Sequence, residues 1–260
     1  MSCALRIAIK RLPASLSIAL LASLAALLLA WTKVGALPSP SQVREELLED
    51  PAQSRSGTEN FAFDYRGQSY AVQPQAEYLV SGVVVSHNNI SGIGDIYHTS
   101  DSVDLKDLCL VWGDNVVSGI YRKFNFWSEP WSCHYQIDDG SLLKDFRNDQ
   151  FSNNHLIAAD KAVQDTIRSV NIGDQVRLTG LLVNYYPVKA SEQIRRTSLN
   201  RTDTGNGACE VIFVKKVQIL MRSTERWYMV YSWAKWALAF TTLIKLISII
   251  VLPWLEFRFT

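Results

Sequence analysis

Two apolar segments at the ends of this 260-residue chain constrain its fold more than any other feature of the sequence. The first is an uncharged run between Arg11 and Lys33, and the second extends from about Trp227 to Trp254. A helix needs roughly 20 mainly apolar residues to cross about 30 Å of hydrocarbon. Both segments reach that length, so we expect the chain to lie at a membrane, with its polar middle folded on one side.

The charges around the first segment predict its direction. Three basic residues precede the run, and only Lys33 follows it closely. Because positive charge stays on the cytoplasmic side of a membrane helix, residues 1–12 are expected to be cytoplasmic and residues 13–32 to form a transmembrane helix or signal anchor. The alternative is a cleaved signal peptide, since residues 34–36 are small. Either interpretation exports the middle of the chain.

The second segment contains Lys235 and Lys245. A Lys at the bilayer centre costs about 2.5–3.5 kcal/mol on insertion scales. In a span that starts near Met229, however, each lysine can extend to its nearer membrane surface. The alternatives are an ion pair with an acidic residue in a partner's membrane helix and a helix that lies on the membrane surface. We expect residues 227–254 to be a transmembrane helix and 255–260 a cytoplasmic tail.

The segment between the apolar runs is acidic. Residues 37–227 carry 19 Lys and Arg against 24 Asp and Glu, a formal charge of −5. General nucleic-acid binding depends on cationic groups that neutralise phosphates, so we expect no nucleic-acid partner. A segment of about 190 residues is long enough to bury one core.

Three of the four cysteines lie in the exported part. An oxidising compartment permits one disulfide there and leaves one thiol. Cys109 and Cys133 close the shortest loop and are the preferred disulfide candidates, although the sequence leaves the other pairings open. Cys209 would then be the remaining thiol, either as a small buried residue or in a bond between chains.

The exported part is expected to be a linker followed by a β-rich domain. Residues 33–69 hold three prolines, an acidic cluster and a polar stretch, which favours a linker. Residues 70–226 contain the strand patterns. The predicted strands lie at 77–87 (EYLVSGVVVSH), 95–98, 107–113 (DLCLVWG), within the aromatic–polar alternation of 121–136, at 175–186 (QVRLTGLLVNYY) and at 210–221 (EVIFVKKVQILM).

One helix is predicted within this domain, over residues 160–170. Its apolar residues recur at helical spacing, and Asp160 is suited to cap its first turn. Gly82, inside the first predicted strand, permits a bulge or a sharp bend.

This order of elements, with a glycine-bent first strand and a helix before the last two strands, is similar to an OB-fold. The segment GDQVRLTGL at 173–181 looks like the strand after the helix in many OB-type barrels. The resemblance implies a small closed five-stranded barrel. The predicted fold class is therefore α+β and β-rich, an OB-like exported β-barrel domain flanked by two transmembrane helices. Long insertions before the helix and after Tyr186 depart from the OB pattern.

The densest polar segment, RRTSLNRTDTGNGACE at 195–210, lies between the last two predicted strands. Loops in that position bind ligands in small barrels. Arginines are fork-shaped donors for carboxylate or phosphate, and the glycine-rich turn at 203–207 can present backbone N–H groups to an anion. The alternative is a solvated hairpin tip. The predicted ligand-binding residues are Tyr185, Arg195, Arg196, Arg201, Asp203 and Asn206.

The chemistry-bearing residues show no familiar catalytic motif. Cys209 could be a nucleophile only with a base nearby, for which His134 and His155 are available in the sequence. The alternative hydrolase would use His155, Asp203 or Cys209. The stretch FSNNHLI at 151–157 is expected to be a loop in which Asn and His side chains satisfy the backbone. The alternative is that these side chains orient a ligand. No catalytic residue is therefore predicted.

Motifs for metals and cofactors are also missing from the sequence. It contains no HExxH, paired CxxC, Walker loop, GxGxxG or GxSxG pattern. Two histidines with Asp95 or Asp101 remain an alternative metal site. No cofactor and no metal site are predicted.

Together these features predict a membrane-anchored protein of the bacterial inner membrane, with both termini cytoplasmic and the central domain periplasmic or extracellular. Its expected role is binding or assembly, through contact with the bilayer and with a protein or an anionic envelope ligand. The alternatives are an envelope hydrolase and a small subunit of a membrane complex, in which Lys235 and Lys245 contact partner helices.

Overall fold

The computed structural model describes residues 3–90, 102–203, 205, 208–223 and 225–259. It separates into two compact units, Met1–Ala36 with Thr224–Thr260 and Leu37–Ser223. The helices are α1 (Cys3–Trp31), α2 (Asp114–Ser118), α3 (Lys161–Ser169) and α4 (Glu225–Phe259). The strands are β1 (Ala52–Arg55), β2 (Phe61–Tyr65), β3 (Gln68–Asn89), β4 (Lys106–Val111), β5 (Asn125–Glu129), β6 (Ser132–Gln136), β7 (Phe151–Ile157), β8 (Gln175–Pro187) and β9 (Glu210–Met221). The strand expected at 95–98 lies outside the described residues.

The first unit is a pair of long apolar helices that pack against each other, α1 and α4. Ala14–Trp31 and Glu225–Val251 are both long and apolar enough to cross a membrane. Lys245 Nζ donates to Ser17 Oγ at 3.0 Å, so this lysine has a polar partner on the other helix. Lys235 is exposed and lies 5.8 Å from the ring of Trp236.

The second unit is an α+β structure with a mixed sheet. The pairing order is β3, β4, β7, β9 and β8, and β8 pairs again with β3, so the path of paired strands returns to its start. β7 and β9 run parallel, whereas the other pairs on this path are antiparallel. β1 and β2 pair with β3 beside this path.

The long strand β3 connects both sides of the sheet. Residues 70–83 pair with β8, and residues 83–89 pair with β4. Gly82 lies at this change of partner, where a Cβ atom would come within 3.0 Å of the Leu110 side chain and the Val111 carbonyl oxygen. The nearby bulge falls between Val84 and Ser86. Glycine therefore allows the close strand approach that the changeover requires.

The main hydrophobic core is built from the strands of this closed path and from α3. Leu108, Leu156, Leu178 and Ile212 are fully buried within it, together with Ile167 of the helix. The helix predicted over 160–170 is confirmed as α3. The Asp160 carboxylate accepts from the Val163 backbone N–H at 2.9 Å and so caps the first turn.

A second apolar cluster covers the other side of β3 and β4. The hairpin β5–β6 forms a separate two-stranded sheet, and Phe126 and Tyr135 of this hairpin pack against the cluster. Cys109 of β4 and Cys133 of β6 form a disulfide. This bond ties the hairpin to the main sheet.

Two parts of the chain fold differently from the sequence-based expectation. Residues 33–69, expected to be a linker, contain β1 and β2, and Leu47 is fully buried in the second cluster. The strand that precedes α3 is β7, Phe151–Ile157, which was expected to be a loop. Its Asn and His side chains are buried because neighbouring strands supply polar partners for them.

Candidate functional site

A cleft of about 630 Å³ lies between β6, β7 and the segment that connects β8 to β9. Its lining combines charged, amide and aromatic side chains with one thiol. The residues used below that line it are Trp131, His134, Asn153, Arg195, Arg201, Asp203, Cys209 and Glu210. Volumes between about 300 and 1,000 Å³ are typical of small-molecule sites.

Arg201 and Glu210 form an ion pair on one side of the cleft, with Nη1 and Oε1 2.7 Å apart. Glu210 is almost fully buried. Burial raises the pKa of Glu210 to about 7, although the Arg201 charge opposes this rise. Arg201 Nη2 and Glu210 Oε2 have no hydrogen-bond partner among the described residues. The pair therefore keeps an unused donor and an unused acceptor.

Arg195 forms the opposite side of the cleft. Its guanidinium lies 4.4 Å from the centre of the Trp131 ring, and its Nη2 lies 2.9 Å from Nε2 of His155. Its Nε has no hydrogen-bond partner in the described parts of the chain. Trp131 and Arg195 also line a smaller cavity of about 280 Å³, so their stacked side chains border both spaces.

Trp131 holds an unusual backbone conformation at the tip of the β5–β6 hairpin. Its φ is +72°, a value that bulky L-residues rarely adopt. Such conformations cost about 1–3 kcal/mol and persist where surrounding contacts fix them. Here the Arg195 guanidinium and the His155 ring, 5.4 Å away between centroids, hold the indole.

Beneath the cleft, His155 of β7 is fully buried. Its Nδ1 lies 2.6 Å from Oδ1 of Asp107, the residue opposite it on β4. Although burial opposes the charged imidazole, the Asp107 carboxylate and the Cys209 thiol raise the pKa of His155 to about 9. Arg195 has donors only, so the contact of its Nη2 with Nε2 is a hydrogen bond only when the ring is neutral and carries its hydrogen on Nδ1. The raised pKa favours the charged ring, so the Asp107 carboxylate and the Arg195 guanidinium act on the protonation of His155 in opposite directions.

Asn153 connects the hairpin tip to the thiol. Its Nδ2 donates to the Trp131 carbonyl oxygen at 2.9 Å and lies 3.5 Å from Cys209 Sγ. Asn153 is only 8% exposed, and its Oδ1 has no hydrogen-bond partner among the residues that the structure describes. The cleft therefore contains a second buried acceptor beside that of Glu210.

The structure brings together three of the six predicted ligand-binding residues, Arg195, Arg201 and Asp203, in the cleft. Tyr185 lines the smaller cavity instead, and its hydroxyl donates to the buried Asp104 carboxylate at 2.9 Å. Arg196 is exposed and is not part of the cleft lining.

The glycine-rich turn is described only in part. Gly205 has a φ of +83°, whereas residues 204, 206 and 207, including the predicted ligand-binding residue Asn206, lie outside the described residues. The Ser198 hydroxyl donates to the Asp203 carboxylate at 2.5 Å. Asp203 is thus hydrogen-bonded to Ser198, and the carboxylate that contacts His155 is that of Asp107.

Sequence reasoning did not select Trp131 or Asp107 as site residues, and it considered Asn153 only as one of the side chains of the stretch 151–157. Asp107 and His155 are 48 residues apart and meet only through the β4–β7 register. The polar run in FSNNHLI was the available signal, because buried amides and imidazole in a strand require partners. Among the described residues, no group of three His, Cys, Asp or Glu side chains is placed to hold a metal.

The fold and site define an α+β domain with a mixed sheet, attached in sequence to two helices that are able to cross a membrane. Comparisons with protein-family models, curated proteins and solved structures found no match to this chain.

Proposed function

We propose that this chain is a membrane-anchored binding protein of the bacterial envelope, whose exported domain holds an anionic ligand in the cleft. The observation that carries this proposal is the pair of arginines in one cleft with unused donors, Nε of Arg195 and Nη2 of Arg201. Carboxylate and phosphate groups are the natural acceptors for such donors. The unused acceptors of Asn153 and Glu210 favour a ligand that also carries hydroxyl or amide N–H groups beside its charge.

The order of strands supports an OB-like barrel as the scaffold of this site. The closed pairing path, the parallel β7–β9 pair and the helix between β7 and β8 agree with that topology. OB-type barrels bind ligands on the face of their second and third strands and in the loop between the fourth and fifth. In that correspondence, the third strand is β7 and the loop is the segment between β8 and β9, and described residues of both line the cleft.

Export to an oxidising compartment is part of the same proposal. The Cys109–Cys133 disulfide supports it, because such bonds persist outside the cytoplasm. Two helices that are able to cross a membrane flank the domain in sequence, which agrees with a periplasmic domain and two cytoplasmic termini. The ligand is then a group of a neighbouring protein or of an envelope lipid.

Calorimetry on the full chain in lipid nanodiscs tests the site. Glycerol 3-phosphate represents a lipid head group, and an acidic tripeptide represents a protein ligand. We expect at least one of them to bind, and the double variant Arg201→Gln/Glu210→Gln to weaken its binding by at least about tenfold, since hydrogen bonds to charged groups contribute about 1.5–3 kcal/mol. Removing both partners together leaves no unpaired buried charge.

Arg196→Gln is the matched control, because Arg196 is an exposed arginine outside the cleft lining. Its affinity should equal that of the parent. Equal losses in Arg196→Gln and in the double variant would show that general positive charge, rather than the cleft, attracts the ligand. Failure of both probes to bind would contradict an anion site.

A further inference from the structure

The hairpin strand β6 forms one wall of the cleft and has an unpaired edge. Ser132, Cys133, His134 and Tyr135 all line the cleft. β6 pairs with β5 on one side, and no other strand of the described residues pairs with it. The free edge of a strand presents backbone N–H and C=O groups to which another chain can bind.

The turn of the hairpin determines which backbone groups point to this edge. Two residues connect Glu129 to Ser132, its partner on β6, so these flanking residues form a hydrogen-bonded pair. Hydrogen-bonded and non-hydrogen-bonded pairs alternate along an antiparallel ladder. Cys133 and Tyr135 therefore turn their N–H and C=O groups away from β5. Neither residue forms a backbone hydrogen bond outside the hairpin within the part of the chain that the structure describes.

The opposite wall of the cleft includes the first residues of β7. β4 pairs with β7 from Phe151 onward, whereas β9 pairs with it only from Asn154 onward. Asn153, just before the start of that pairing, lines the cleft, and its Oδ1 is without a hydrogen-bond partner among the described residues. An extended segment in the cleft can thus pair with β6 on one side and donate an N–H group to Asn153 on the other.

The two cleft arginines suit the end of such a segment. Trp131 directly precedes β6, and its ring stacks with the Arg195 guanidinium, so Arg195 lies at the Ser132 end of the strand. A segment that runs antiparallel to β6 has its carboxyl terminus at this end. Nε of Arg195 and Nη2 of Arg201 have no hydrogen-bond partner among the described residues, and guanidinium donors bind carboxylate.

We infer that the ligand of the cleft is the carboxyl-terminal end of a polypeptide, which adds to the edge of β6 as an antiparallel strand and places its terminal carboxylate against Arg195 and Arg201. This inference rests on the proposed function and names the ligand of the same anion site. Backbone hydrogen bonds to β6 provide affinity, and the carboxylate contact selects a free chain end over an internal segment. A lipid phosphate, by contrast, uses the arginines and leaves the edge of β6 unpaired.

Calorimetry on the full chain in lipid nanodiscs tests the carboxylate contact. The probe is an N-acetylated tetrapeptide of alternating serine and valine, whose only charge is its terminal carboxylate, and the comparison is the same peptide with a terminal amide. We expect the acid to bind at least about tenfold more tightly than the amide, since hydrogen bonds to charged groups are the stronger ones. Arg195→Gln should remove this preference. Arg196→Gln, the exposed arginine outside the cleft lining, is the matched control and should retain it.

Residue-resolved hydrogen–deuterium exchange on the parent protein tests the strand addition and does not depend on the folding of a variant. At saturation with the acid peptide, we expect exchange of the Cys133 and Tyr135 amides to slow by at least about tenfold, because backbone hydrogen bonds protect amides from exchange. Phe126 and Ser128 hold the corresponding outward positions on β5 and should exchange at unchanged rates.

Equal affinities for the acid and the amide, or unchanged exchange at Cys133 and Tyr135 in the bound state, would overturn the inference. An equal loss of the acid preference in Arg195→Gln and Arg196→Gln would also overturn it. Binding of glycerol 3-phosphate without binding of the peptide would exclude the strand ligand and leave the anion site of the proposed function intact. Failure of both to bind would contradict the anion site as well.

Discussion

At the scale of single residues, the cleft is defined by buried polar groups whose hydrogen-bonding capacity is only partly used. Arg201 and Glu210 pair with each other, yet each retains an atom without a hydrogen bond among the described residues. Such groups are costly unless a ligand or water completes them. The cost is consistent with a site shaped for binding.

Glu210 gives the stability of the protein a specific pH dependence. Its folded-state pKa is raised to about 7 from 4.5, so between these values the folded protein holds a proton that the unfolded chain has lost. Stability contributed by this group therefore falls as pH rises from about 4.5 to 7, with a slope of up to about 1.4 kcal/mol per pH unit.

Urea unfolding of the parent and of Glu210→Gln at pH 5, 6 and 7 measures this effect. The difference in unfolding free energy between the two proteins removes the contribution of other titrating groups. We expect the parent to lose stability relative to Glu210→Gln as pH rises. A difference that does not change with pH would contradict the raised pKa.

Tyr185 was predicted to bind a ligand, but its place in the fold predicts a structural effect. Its hydroxyl donates to the buried Asp104 carboxylate. Tyr185→Phe removes this hydrogen bond and should lower the unfolding free energy by about 1–3 kcal/mol. Tyr186→Phe, at the half-buried neighbouring position, is the control and should change it by less than about 0.5 kcal/mol. Equal losses of unfolding free energy in Tyr185→Phe and Tyr186→Phe, measured by chemical denaturation, would argue against the hydrogen bond between Tyr185 and Asp104.

At the scale of elements, the sheet depends on a close approach between β8 and β9. A Cβ atom added to Gly180 would lie 2.1 Å from the carbonyl oxygen of Phe213, beside a break in the pairing register between Thr179 and Gly180. Gly180→Ala therefore requires backbone movement and should destabilise the protein by about 3 kcal/mol or more.

Gly140→Ala provides the matched control for this prediction, because its Cβ would meet no atom within 4 Å. We expect its unfolding midpoint in urea to remain close to that of the parent. A Gly180→Ala protein as stable as Gly140→Ala would show that β8 and β9 are farther apart than in this structure.

The disulfide is the second element-scale feature with a measurable effect. It closes a separation of 24 residues and joins the hairpin to β4. Because the disulfide restricts the conformations of the unfolded chain, it contributes about 3 kcal/mol to the free energy of unfolding. The double variant Cys109→Ala/Cys133→Ala should lose about that amount in urea unfolding, whereas Cys209→Ser should change little. A Cys209→Ser protein that is less stable than the Cys109→Ala/Cys133→Ala protein would contradict the pairing of Cys109 with Cys133.

The elements that sequence predicted best are those with strong local patterns. The apolar ends, α3 with its Asp160 cap and the strand at 210–221 follow from periodicity and capping alone. The strand at 151–157 does not follow from such patterns. Its polar side chains predict a loop unless it is known that Asp107 and Leu108 of β4 provide hydrogen-bond partners for them. The site required knowledge of register for the same reason, since His155 and Asp107 meet only through the pairing of β4 with β7.

At the scale of the whole molecule, the chain combines two long apolar helices with one disulfide-containing α+β unit. Within the helix pair, Lys245 donates to Ser17, whereas Lys235 is exposed. In the proposed function, the two helices anchor the chain in a membrane and the cleft of the α+β unit holds the ligand. The proposal requires that the cleft is exported and open to an anionic ligand.

Labelling of a cysteine at the cleft tests this claim most directly. Asn200 is exposed and lines the cleft, so Asn200→Cys in a Cys209→Ser background offers one thiol there. In spheroplasts of a bacterial host, a membrane-impermeant maleimide should label it before lysis, and glycerol 3-phosphate or the acidic tripeptide should slow the labelling. Labelling that occurs only after lysis, or at a rate that neither anion changes, would contradict the account.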